Sequence, residues 1–183
     1  TTTGVPLEPA GTMTYHELFE IYTEQITALA EAGADLLVVE TMLGIDEMTV
    51  ALEAAQSVCA LPVLCSMTVQ ADGSGYFGGT CVEAVETLQE LGAAAVGINC
   101  STGPDQLESL VRNMRQAAKV PLLVKPNAGM PEISPEGEAI YSMGPAAFAQ
   151  HMRTLIDAGA ALVGGCCGTD PRYISALRDV LPR

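Results

Sequence analysis

Apolar residues recur along this chain with two periods that take turns, a helical one and short continuous runs, with little sequence between them. After the capping box Thr14-Tyr15-His16-Glu17, the spacing of Leu18, Ile21, Ile26 and Leu29 predicts a helix ending near Gly33. A strand is expected over 35–40, a helix over 46–58, and a strand over 62–69 whose apolar and β-branched content suits burial on both faces. A Gly-rich loop, 70–79, leads to Thr80 and Glu83, a second capping box, and a helix to Leu91. The strand 94–99 follows, then a helix opened by Pro104 and running to about 118. A strand over 121–125 enters a long loop, 126–144, before a helix to 158, a strand over 161–165 and a last helix opened by Asp170-Pro171.

A short phrase punctuates this alternation. Ala32-Gly33-Ala34, Leu91-Gly92-Ala93 and Ala158-Gly159-Ala160 each stop a helix ahead of a strand. Counted from those glycines, Glu40, Asn99 and Cys166 share one register position, and Thr41, Cys100 and Cys167 share the next. The polar chemistry therefore collects at the carboxyl ends of the strands. Such units build either a (β/α)8 TIM-barrel-type fold or an open doubly wound sheet, both α/β, and the absence of a GxGxxG fingerprint after the first strand favours the barrel. Only five clear strands are present against the eight of a closed barrel, so the expectation is a C-terminal fragment with about five of eight strand-helix units. On this reading residues 1–183 are one partial barrel domain with its N-terminal strands missing. Its first and last strands would be open edges, to be paired in a homo-oligomer.

Composition narrows the function classes. With 49% hydrophobic residues the chain can bury a sizeable core, and 22 acids against 8 bases, a formal charge of −14, oppose binding to nucleic acid or an anionic membrane. No apolar stretch approaches the roughly 20 residues of a membrane span, and the opening Thr/Gly/Pro stretch has no signal-peptide pattern, so the expected address is cytoplasmic. Cys59, Cys65 and Cys81 read as small core or helix residues.

The remaining cysteines are different. Gly97-Ile98-Asn99-Cys100 and Gly164-Gly165-Cys166-Cys167-Gly168-Thr169 each close an apolar run among glycines. Adjacent cysteines pair with each other only through a strained ring, and three soft thiolates suit zinc or copper(I) over magnesium or calcium; on zinc they leave one position for water or substrate, as in catalytic sites. In a barrel the strand running into Lys125-Pro126-Asn127-Ala128-Gly129 lies between the two cysteine strands, which brings Asn127 among the sulfurs. Asn99 and Asn127 each read equally as site residues or as turn supports. The loop Asp72-Gly73-Ser74-Gly75 lacks a Walker ending and reads as a site wall or hairpin-like connection, and His16 and His151 fall in helices, away from any ligand role.

Together with Glu40-Thr41 and Pro126-Asn127-Ala128-Gly129, the two cysteine motifs closely resemble the homocysteine S-methyltransferase family, in particular the homocysteine-binding module of the cobalamin-dependent methionine synthase type, over essentially the whole chain. The resemblance implies a zinc-dependent barrel that activates the homocysteine thiol for methyl transfer to give methionine. It carries Cys100, Cys166 and Cys167 as Zn2+ ligands, Glu40 as partner of the substrate ammonium, and Asn127 as an oxygen ligand where substrate sulfur later binds. The implied methyl donor is methylcobalamin or methyltetrahydrofolate on other folate- or cobalamin-binding domains. The family's Asp-Gly segment for the substrate carboxylate has no match in this chain. The competing reading is a non-catalytic zinc-binding barrel remnant with a structural or metal-handling role.

Overall fold

A computed structural model describes residues 1–182. Five parallel strands form one sheet: β1 (Leu37–Met42), β2 (Val63–Met67), β3 (Ala95–Cys100), β4 (Leu122–Pro126) and β7 (Ala160–Val163), adjacent in that order. Between them run α1 (Tyr15–Glu31) before β1, α2 (Ile45–Val58), α3 (Cys81–Glu90), α4 (Glu108–Ala117) and α5 (Pro145–Asp157), with α6 (Pro171–Val180) last. Strand order never reverses, so there is no switch point, and crossovers of the single hand that parallel connections take put the helices on one face. That is barrel winding, and it excludes the doubly wound alternative. β1 and β7 are the edges of the sheet.

The local signals explain the elements. Both capping boxes form, with Thr14 and Glu17 closing α1 and Thr80 and Glu83 closing α3. Gly33, Gly92 and Gly159 all have positive φ just after a helix end, the left-handed turn that the repeated phrase requires. The segment at 104 differs from expectation. Pro104–Gln106 is a 3-10 turn, and α4 begins only after Leu107, which is buried and offers no polar cap, so the first turn tightens. The loop 126–144 also contains an unexpected antiparallel hairpin, β5 (Pro131–Ile133) with β6 (Ala139–Tyr141).

Two faces divide the strand residues. Leu37, Val39, Cys65, Met67, Val96, Ile98, Leu122 and Val124 are buried, the layer beneath the helices. On the other face β1 presents Val38 and Glu40, β4 presents Leu123 and Lys125, and β7 presents Leu162; Val38 and Leu162 are exposed. Glu40 and Lys125 form an ion pair although β1 and β4 are three strand spacings apart, about 14 Å in a flat sheet. The sheet must therefore curve, with this face concave. Among the described residues no helix is long and apolar enough to cross a membrane.

Candidate metal centre

Three sulfurs meet where β3 and β7 end on either side of β4. Cys100 closes β3, and Cys166 and Cys167 lie in the turn that follows β7. Cys100 Sγ is 3.8 Å from Cys167 Sγ, Cys166 Sγ is 3.9 Å from Cys167 Sγ, and all three lie within 4.8 Å of one another. Bonds of about 2.3 Å to a tetrahedral zinc put sulfurs about 3.8 Å apart, so two edges of the trio already have the required length. The thiols are unlinked, and Cys167 is exposed while the other two are partly so. Donor type, spacing and an accessible side all fit zinc. Among the described residues this is the one group of three or more His, Cys, Asp or Glu side chains so placed.

Backbone conformation aims the sulfurs. Cys100 and Ser101 have φ of 59° and 67°, so the chain leaves β3 in a left-handed turn. The Ser101 hydroxyl secures that turn, accepting from Val69 N at 2.8 Å and meeting Thr68 Oγ1 at 3.1 Å. Gly97 lets β3 approach β4, because a Cβ there would run into the Leu123 carbonyl. The paired cysteines are stitched to the exit of β4: Cys166 N donates to Pro126 O at 2.8 Å, and Ala128 N donates to Cys167 O at 2.9 Å. Asn127, nearly buried, accepts from Cys167 N at 3.1 Å through Oδ1.

Asn99 is a hub. It is 1% exposed, and its Oδ1 accepts from Thr41 N at 2.8 Å and from Ser66 Oγ at 2.7 Å. Its Nδ2 donates to Thr41 Oγ1 at 2.8 Å and toward Cys166 Sγ at 3.7 Å. Those four contacts use every donor and the two principal acceptor directions of the amide. They also hold Thr41 at φ 59°, a conformation that costs a β-branched residue roughly 1–2 kcal/mol and persists only where surroundings enforce it. Ser66 and Thr41, absent from the expected site, belong to this network.

Glu40 sits on the concave face, half exposed, bound to Lys125. Lys125 was readable in the sequence only as the polar end of an apolar run. The Tyr141 ring lies over Gly168, where φ is +78° and a Cβ would meet the ring. Burial, and then the neighbouring Cys167 side chain, holds the Tyr141 hydroxyl above its ordinary pKa. Burial, followed by the two neighbouring sulfurs, pushes the Cys100 thiol up to about 11. His16 and His151 lie on α1 and α5, outside the cluster.

A family model described as homocysteine S-methyltransferase matches residues 2–181. Methionine synthase of Mycobacterium leprae (strain TN) is 30% identical over 186 residues, covering 98% of this chain, and that of Mycobacterium tuberculosis (strain ATCC 25618 / H37Rv) is 31% identical over 177 residues, covering 93%. The chain spans 15% of the length of each. Among solved structures, the apo form of the homocysteine methyltransferase MmuM from Escherichia coli superposes with a TM-score of 0.76 at 24% identity, covering 97% of this chain and 60% of its own. Its metallated form gives 0.71 at 26% identity, covering 88% and 51%.

Proposed function

We propose, since the chain belongs to the homocysteine S-methyltransferase family, that it holds zinc through Cys100, Cys166 and Cys167 and presents the thiol of homocysteine for methylation to methionine. The observation that carries this reading is the spacing of the three sulfurs on an accessible side of the strand ends. A zinc ion bound there would keep a fourth, substrate thiol deprotonated at neutral pH, where a free thiol of pKa near 8.5 is mostly protonated.

The chain's own residues set the stage for that sulfur. Cys100, held by the left-handed turn, and the Cys166-Cys167 turn, bound to β4, give a largely preorganised donor set, in which the Cys100–Cys166 edge is the one left to adjust on loading. Asn99 acts on the substrate only through others: its Nδ2 supports Cys166, and its Oδ1 fixes the end of β1 beside Glu40. Glu40 is the partner for the substrate ammonium, and the Asn127 carbonyl is the oxygen assigned to the open position before the thiol arrives. In the transfer the sulfur–methyl bond forms as the donor–methyl bond breaks, and the bonding pair stays on the donor. We assign the donor, methylcobalamin or methyltetrahydrofolate, to other domains, a reading supported by how far the curated relatives extend beyond the matched region.

Calorimetric titration of zinc-loaded protein tests the reading. Homocysteine should bind and homoserine, with oxygen in place of sulfur, should not, and removal of zinc should abolish homocysteine binding. Equal binding of both ligands would refute a thiol-directed site.

A further inference from the structure

Lys125 is the one base that the described chain places inside the curve of the sheet. Of 8 Lys and Arg residues, Arg112, Arg115, Arg153, Arg172 and Arg178 sit on helices, Lys119 lies before the opposite end of β4, and Arg183 is outside the described residues. Lys125 pairs in register with Asn99, one residue short of Cys100. Its stem runs beside Gly164, where an added Cβ would lie in ordinary contact, 3.4 Å from Lys125 Cγ.

Its ion pair is also unlike the others. Every other ion pair among the described residues joins side chains four residues apart or fewer, on helices or their caps, whereas Lys125 reaches Glu40 across 85 residues and three strand spacings. The Lys125 and Glu40 side chains are 23% and 42% exposed, so the pair is open to a ligand. One cation and one anion held together at the strand ends are the electrostatic complement of an α-amino acid, which carries an ammonium and a carboxylate on one carbon. If the substrate ammonium took Glu40 and nothing took Lys125, a partly buried ammonium would be left unpaired, which is costly. Exchange of partners avoids this: the ammonium pairs with Glu40, the carboxylate pairs with Lys125, and no net charge is added.

We propose that Lys125 binds the substrate α-carboxylate, so that Lys125 and Glu40 together select a zwitterionic amino-acid thiol over a simple amine thiol. The assignment rests on the function proposed above. It concerns a position supplied by this chain's β4.

The test compares homocysteine with aminopropanethiol, which is homocysteine without its carboxylate, by calorimetry on zinc-loaded protein. Lys125→Met should weaken homocysteine binding about 10- to 100-fold, the range for a charged hydrogen-bonded contact, while aminopropanethiol binding stays unchanged or tightens as Glu40 is released. Lys125→Arg should restore most of the homocysteine affinity. Equal loss for both ligands, or no loss of homocysteine, overturns the assignment and leaves the thiol site standing. The unmodified protein gives an independent arm that needs no variant to fold: equal affinity for the two thiols there also overturns it. Failure of the zinc-loaded protein to bind either thiol overturns the proposed function itself, and the role of Lys125 with it.

Discussion

Replacing Asn99 with Ala removes the amide that joins three strands. Ser66 is fully buried and donates its hydroxyl to Asn99 Oδ1 at 2.7 Å, so the substitution strands a buried donor, at about 1–3 kcal/mol. The Thr41 amide, donating at 2.8 Å, loses its partner too, but its partial exposure admits water and limits the loss to about 1 kcal/mol. The sum, about 2–4 kcal/mol, is a large share of the 5–15 kcal/mol typical of a folded domain. Urea unfolding followed by circular dichroism, in reductant and chelator so that no metal contributes, measures it. Adding Ser66→Ala should recover about 1–2 kcal/mol, because the stranded hydroxyl is gone. A loss below about 1 kcal/mol for Asn99→Ala, or simple additivity of the two substitutions, would refute the hub.

Other outcomes follow from the same geometry. Cys167→Ala, at an exposed position, should abolish stoichiometric zinc while leaving the urea midpoint of the metal-free protein nearly unchanged; retained zinc would remove Cys167 from the ligand set. The Cys100 thiol of the metal-free protein, raised from 9.0 to about 11, is protonated in the folded state where the unfolded chain has begun to lose its proton. Its contribution to stability is therefore complete below pH about 9 and is lost as pH rises through about 11, which unfolding midpoints across that window should show. A Cys100→Ala variant should show a shallower alkaline decline, the remainder coming from the buried Cys65 thiol, which is pushed up to about 12, and from Cys81, which burial also raises. Gly97→Ala should force β3 from β4 at the Leu123 carbonyl and destabilise the fold by about 3 kcal/mol or more, with loss of zinc uptake, since backbone cannot yield as a side chain does. Unchanged thermal unfolding of that variant would contradict the close approach.

How much of this was legible in the sequence depends on range. Helix stops and caps are local, so Gly33, Gly92 and Gly159, Thr14 and Thr80 announced their elements and the register of Glu40, Asn99 and Cys100. The hairpin of β5 and β6 was not, because its three-residue strands are almost wholly exposed and leave no apolar alternation to read. The 3-10 turn at Pro104 hid behind a helix-start signal whose next apolar residue, Leu107, turned to the core instead. Lys125 and the Asn99 network were invisible for a deeper reason: Glu40 meets Lys125, and Asn99 meets Thr41, only because the sheet curves. Curvature is a property of the assembled strands, not of any one segment. Nor does a sequence mark a β-branched residue such as Thr41 for the left-handed region, since its own preference opposes it.

The account depends most directly on the three sulfurs binding zinc and leaving room for a fourth. X-ray absorption at the zinc edge, on freshly purified and reduced protein, should report one zinc per chain with three sulfur neighbours at about 2.3 Å, rising to four when homocysteine is added. Protein that takes up no stoichiometric zinc, or a sulfur count that homocysteine leaves unchanged, would contradict it.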